Sequence, residues 1–142
     1  GFDAEMMTGG ADAVRRKINE LKKKPDATAK EEDLMTTLEA VYEFNMRGFE
    51  FAPIDLYKSD AVKFVITDDG RLLPPFVAIS GLGEAAARDL QNCTKNGQTY
   101  ISIEEVSAAC PKVSQAHIEA LKRLGALGEM PESSQINLFE GF

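Results

Sequence analysis

The chain has 142 residues, 44% apolar and 27% charged, with a net charge of −7, two cysteines and one histidine. That length supports one domain or two very small ones with a modest core, and no apolar run approaches the roughly 18 residues of a membrane span, so no membrane partner is expected. Negative net charge argues against a general nucleic-acid binder, and the isolated Cys93 and Cys110 fall short of the about four closely spaced ligands of a structural zinc site.

The chain opens Gly1-Phe2-Asp3, without methionine or a signal-peptide pattern, and reads as a segment of a longer cytoplasmic protein. Ala11, Val14, Ile18 and Leu21 repeat at spacings of three and four, which predicts a helix with one apolar stripe. Lys22 to Lys24 suit its C-terminal end and Pro25 stops it. Arg15, Arg16 and Lys17 read as its solvated face. Thr28 and Glu31 have capping-box spacing, so a second helix should run to about Arg47, with Gly48 just past its end. Residues 49–58 look irregular, anchored by Phe49, Phe51, Ile54 and Tyr57. Val62, Phe64 and Ile66 alternate with Lys63 and Val65 and predict a strand. Asp68-Asp69-Gly70 is a hairpin turn, and residues 71–73 a short return strand. Pro74-Pro75 closes that unit.

Short helices should follow: a brief one over 75–79, another over 84–93, and a third opened by the Ser102–Glu105 capping box and ending before Pro111. A fourth is capped by Ser114 and stopped by Gly125. Residues 131–142 show no period and read as a mobile tail. The fold class is therefore mainly α with a small β-hairpin, and residues 75–93 and 103–124 form an approximate internal repeat. His117 has no triad-like neighbours and reads as a helix-surface residue.

The most informative stretch is residues 79–83, Ile-Ser-Gly-Leu-Gly, followed by the alanine-rich run 84–90. Hydrophobe, Gly, hydrophobe, Gly, then small residues is what a helix-hairpin-helix turn requires. Leu82 would plug the gap between two helices, and Ala86 and Ala87 would let them approach closely. The amides from Gly81 to Ala85, at the positive end of the next helix, would face a phosphate. The same residues fit a dinucleotide fingerprint with alanine in the third place, which would need a preceding strand and a βαβ unit. A tight turn with no ligand is the third reading. The second unit carries Cys110-Pro111-Lys112-Val113-Ser114 where the glycines would stand, and reads as a degenerate partner. Candidate DNA contacts are Ser80, Gly81, Leu82, Gly83, Arg88, Lys95, Lys112 and Ser114. Acidity lies elsewhere: residues 25–60 carry nine acidic and three basic side chains, whereas residues 76–127 carry five of each.

Near the end, residues 135–139 (Gln-Ile-Asn-Leu-Phe) resemble the bacterial sliding-clamp-binding pentapeptide, Gln-Leu-x-Leu-Phe. Leu138 and Phe139 would enter an apolar pocket, Gln135 would make directional hydrogen bonds, and Ile136 stands where leucine is usual. Four further blocks occur in the same order as in one family. They are residues 47–61 (Arg-Gly-Phe-Glu-Phe-Ala-Pro-Ile-Asp-Leu-Tyr-Lys-Ser-Asp-Ala), 73–76 (Leu-Pro-Pro-Phe), 79–83 and 118–125 (Ile-Glu-Ala-Leu-Lys-Arg-Leu-Gly). The whole chain resembles the C-terminal part of a PolC-type DNA polymerase III alpha subunit, the replicative polymerase of low-GC Gram-positive bacteria.

The resemblance implies three regions. Residues 1–74 would be the end of the polymerase fingers region and its junction. Residues 75–128 would be a tandem helix-hairpin-helix domain holding duplex DNA by its backbone, without sequence preference. Residues 129–142 would be a flexible tail docking the sliding clamp. No catalytic or metal-binding residue and no cofactor is expected in this segment; the parent polymerase would use magnesium at palm aspartates upstream. Two other functions remain: a helix-hairpin-helix module of a repair or recombination protein, and an interaction scaffold whose hairpin only packs protein.

Overall fold

The computed structural model describes residues 2–133. Asp3 starts a single turn, α1 (Ala4–Met7), its carboxylate accepting from the Met6 N–H at 3.2 Å. Four residues are too few to show a period, which is why the sequence pattern does not mark this turn. Helix α2 (Ala11–Lys22) and helix α3 (Ala29–Met46) follow as an antiparallel pair. Both halves of the capping box form at the start of α3. The Glu31 N–H donates to Thr28 Oγ1 at 3.1 Å, and the Thr28 N–H donates to Glu31 Oε1 at 3.3 Å. Val14, Ile18 and Leu21 meet Leu38, Val41 and Met7 in a small N-terminal core.

The chain leaves α3 through Gly48, at φ +90°, and crosses a ladder of aromatic rings. Phe44 lies 5.3 Å from Phe49 and 4.7 Å from Phe51, and Phe2 sits 5.1 Å from Phe51 and 5.2 Å from Phe64. Two short strands, β1 (Val65–Ile66) and β2 (Leu72–Leu73), pair antiparallel with Val65 opposite Leu73. The expected strand does not begin at Val62. The Asp60 carboxylate accepts from the N–H groups of both Val62 and Lys63 at 2.9 Å, which bends the chain there and holds the Asp60 carboxyl below its usual range. The alternation also has no core face, for Phe64 and Ile66 are both exposed.

Beyond β2, Pro75 leads into one 3₁₀ turn (Phe76–Ala78), then come α4 (Glu84–Cys93), α5 (Ile103–Ala109) and α6 (Gln115–Arg123). Gly125, at φ +76°, ends α6. The fold is thus mainly α with one small β-hairpin. A second and larger core holds these helices together: Phe76, Ile79, Leu82, Ala87 and Leu90 from the first unit meet Val106, Cys110, Ile118 and Leu121 from the second. Ile54, Leu56 and Ala61 belong to the same core. Their segment is tied down at both ends. The Leu56 N–H donates to the Ala126 carbonyl at 3.0 Å, and the Gln91 amide bridges the Ala61 N–H and the Asp60 carboxylate.

The beginning of the expected tail is anchored. The carbonyls of Pro131 and Glu132 accept from the N–H groups of Ile103 and Glu104 at 2.8 and 3.0 Å, satisfying donors at the start of α5. Lys122 pairs with Glu132 on the same surface. Two free cysteines complete this unit, Cys110 buried and Cys93 half-buried. The Cys93 thiol donates to the Leu90 carbonyl at 3.0 Å; the neighbouring Cys110 thiol favours the Cys93 thiolate and lowers its pKa to about 7, while Cys93 and burial push Cys110 up.

Candidate nucleic-acid interface

The glycine pair lies on a turn between the 3₁₀ helix and α4. Ile79 and Leu82 point inward, 3% and 4% exposed, so the turn is clamped to the core by its two hydrophobes. The Leu82 N–H closes it by donating to the Ile79 carbonyl at 3.1 Å. Ser80, Gly81 and Gly83 remain on the surface. Gly81 has φ +83°, a left-handed conformation that side chains rarely adopt, so the turn itself requires glycine there. Gly83 differs. Its φ of −75° suits any residue, and a Cβ built on it meets nothing within 4 Å. The fold therefore leaves position 83 open to larger residues.

Gly83 is also the N-cap of α4 and offers no capping side chain. Among the described residues the N–H groups of Gly81, Gly83, Glu84, Ala85 and Ala86 have no hydrogen-bond partner. They lie at the positive end of a ten-residue helix. Exposed donors in that arrangement are what a phosphate oxygen accepts. The element before the glycines is a 3₁₀ turn rather than a strand, and the described residues hold no parallel sheet, so the dinucleotide reading loses its structural context.

The second unit repeats the geometry with its hairpin amides already used, while among the described residues the N–H groups of Gln115 and Ala116 have no hydrogen-bond partner. The Lys112 N–H donates to Asp89 Oδ2 at 3.0 Å, the Val113 N–H to the Cys110 carbonyl at 3.0 Å, and the Ser114 N–H to His117 Nδ1 at 3.2 Å. A carboxylate from the first unit thus occupies one donor, the Lys112 N–H, that an external anion would otherwise take. The Ser114 hydroxyl is committed as well, accepting the His117 N–H as the cap of α6.

The cationic candidates are dispersed. Arg88 is paired with Glu84 one turn back, at 3.0 Å through Nε and 2.7 Å through Nη2, on an exposed face where such pairs are weak. Lys95 follows the far end of α4, about 15 Å along the helix from Gly83. Lys112 is exposed on the second hairpin, and neither it nor Lys95 has an ion pair among the described residues. The clamp-motif residues Gln135, Ile136, Leu138 and Phe139 lie outside the described residues. Among the described residues no three His, Cys, Asp or Glu side chains gather to hold a metal ion. No described helix is long and apolar enough to cross a membrane.

Reading the sequence as a string missed His117. It is half-buried, and its Nε2 sits 2.9 Å from the Gly81 carbonyl, 36 residues away. The available signal was its place at the third position of α6, where a capping box usually carries Glu or Gln.

Two hydrophobe-clamped turns joining short helices around one small core define a helix-hairpin-helix protein. The helix-hairpin-helix motif family model matches residues 48–136, and the chain belongs to that family. More particularly, the chain is 42% identical over 97% of its length to a PolC-type DNA polymerase III of Caldanaerobacter subterraneus subsp. tengcongensis. It is 40% identical over 99% of its length to a PolC-type DNA polymerase III of Streptococcus pyogenes. The chain spans about a tenth of the length of these relatives, 10% in each.

Proposed function

We propose that the chain is a non-catalytic C-terminal segment of a replicative, cytoplasmic DNA polymerase. Residues 75–128 grip the phosphate backbone of product duplex without reading its sequence, and residues 1–74 are the end of the polymerase fingers region and its junction. The tail from residue 129 tethers the enzyme to the sliding clamp. The single observation carrying the duplex reading is the set of amides at Gly81, Gly83, Glu84, Ala85 and Ala86, unpartnered among the described residues, beside a glycine that the fold does not need. The identity to PolC-type polymerases along the whole chain supports the same reading. Catalysis and its magnesium belong to the upstream parent.

Backbone amides release few counterions, so binding should be weak and its salt slope shallow, on the order of two to four. Fluorescent duplex titrated with the chain and with Gly81→Glu/Gly83→Glu is the direct test. The variant should lose measurable binding, and equal affinities would remove the hairpin from the interface. The clamp reading has its own experiment. Leu138→Ala/Phe139→Ala deletes two side chains whose burial is worth roughly 1.5–3 kcal/mol each, so clamp binding measured by calorimetry should disappear. Unchanged clamp affinity would show that the tail is not the tether.

A further inference from the structure

We propose that His117 is a positioning residue for the phosphate-binding hairpin, locking the Gly81 peptide through an Nε2–H···O bond from the second unit. This inference rests on the reading of Gly81 to Ala86 as the phosphate site.

The ring's two nitrogens face different partners. Nδ1 stands 3.2 Å from the Ser114 N–H and can only accept from it. The ring hydrogen is therefore on Nε2, and Nε2 donates to the Gly81 carbonyl at 2.9 Å. One neutral imidazole so closes the cap of α6 and reaches across to the glycine turn. An ordinary Glu at this position would serve the cap equally well. It could not donate to a carbonyl, and its charge would repel a nearby phosphate.

Gly81 is where such a bond has most effect. With φ +83° and no Cβ contact within 4 Å, nothing on its own side restricts it. Glycine also has the largest conformational freedom to lose. The peptide between Gly81 and Leu82 is planar, so fixing the Gly81 oxygen fixes ψ of Gly81 and the direction in which the chain enters Gly83. Leu82 holds the other face of that peptide through its N–H to Ile79. The two bonds together hold the free amides in one arrangement before a phosphate arrives, and affinity gains by avoiding the ordering cost. The contact is reciprocated. Asp89 of the first unit holds the Lys112 amide of the second, so each hairpin is set by a side chain of the other.

The test uses the 142-residue chain, fluorescent duplex DNA and three variants. His117→Ala removes the bond and should weaken duplex binding about threefold to tenfold, the size of one lost hydrogen bond. His117→Gln retains an acceptor for the Ser114 N–H and a donor for the Gly81 oxygen, and should recover most of that affinity. Gly81→Glu/Gly83→Glu reports separately on the phosphate site. Because the chain has a single histidine, long-range ¹⁵N–¹H spectra of the unliganded wild type give one imidazole, and its hydrogen should be found on Nε2. An Nδ1–H tautomer overturns the proposal without any variant having to fold. Wild-type affinity in His117→Ala alongside loss in the double glycine variant overturns the positioning role and leaves the phosphate site standing. So does a loss in His117→Ala that His117→Gln fails to recover. Wild-type affinity in the double glycine variant brings down the phosphate site and the positioning role together.

Discussion

Gly83→Asp is expected to abolish duplex binding while leaving the chain as stable as before, or slightly more so. The backbone at 83 is extended, and a Cβ there meets nothing within 4 Å, so no clash opposes the substitution. The position is an N-cap, where aspartate is preferred over glycine by a few tenths of a kcal/mol. Its carboxylate would accept from the N–H of Ala85 or Ala86, donors that have no partner among the described residues. The thermal midpoint should therefore hold or rise by about 1–2 °C. The same bond removes a donor from any incoming phosphate and sets a negative charge in its place. Charge-assisted hydrogen bonds are worth roughly 1.5–3 kcal/mol, so the affinity should fall at least about tenfold. Scanning calorimetry and a duplex titration on the same preparation decide the matter. Retained binding would mean that these amides do not face the phosphate. A midpoint several degrees lower would mean that position 83 is not the open cap of α4.

This opposition of stability and binding explains why the glycine pair was so legible in the sequence. A glycine that the fold needs and a glycine that it does not need look the same in a string of letters. The pattern around them, Ile79 and Leu82 with small residues at 86 and 87, marked the turn because each residue answers a local requirement. Helix ends were legible for the same reason. Thr28, Ser102 and Ser114 accept from amides three residues on, and Gly48 and Gly125 adopt positive φ just past α3 and α6. Capping is decided within one turn of chain, so the sequence alone displays it.

What stayed hidden lies between segments far apart in the chain. The strand expected over 62–66 forms only at Val65–Ile66, because the Asp60 carboxylate and the Gln91 amide, 31 residues on, hold the chain in a bend before β1. The Lys112 amide and its Asp89 partner are 23 residues apart, and His117 lies 36 from Gly81. None of these pairs produces a period or a composition bias. Side-chain partners were hidden in the same way: Arg88 is paired with Glu84, and Lys95 follows the C-terminal end of α4, away from the glycine turn.

Phe76→Ala should be the most damaging single truncation for the fold. Phe76 is fully buried at the junction of the two halves, in the core formed by Ala61, Ile79, Leu82 and Leu121. Its backbone fixes that junction too. The Phe76 N–H donates to the Asp60 carbonyl at 2.9 Å, and its carbonyl accepts from the Ile79 N–H at 3.0 Å, one residue ahead of the glycine turn. Removing a buried phenylalanine ring costs about 3–5 kcal/mol, against the 5–15 kcal/mol that roughly spans whole-domain stabilities. The thermal midpoint should drop by at least about 10 °C, and duplex binding should vanish at temperatures where the wild type still binds. Ile66→Ala provides the contrast. Ile66 is 76% exposed on β1, so its truncation should leave the midpoint within about 1 °C. If the two variants melted alike, the buried core beneath the glycine turn would not be what holds those amides in place.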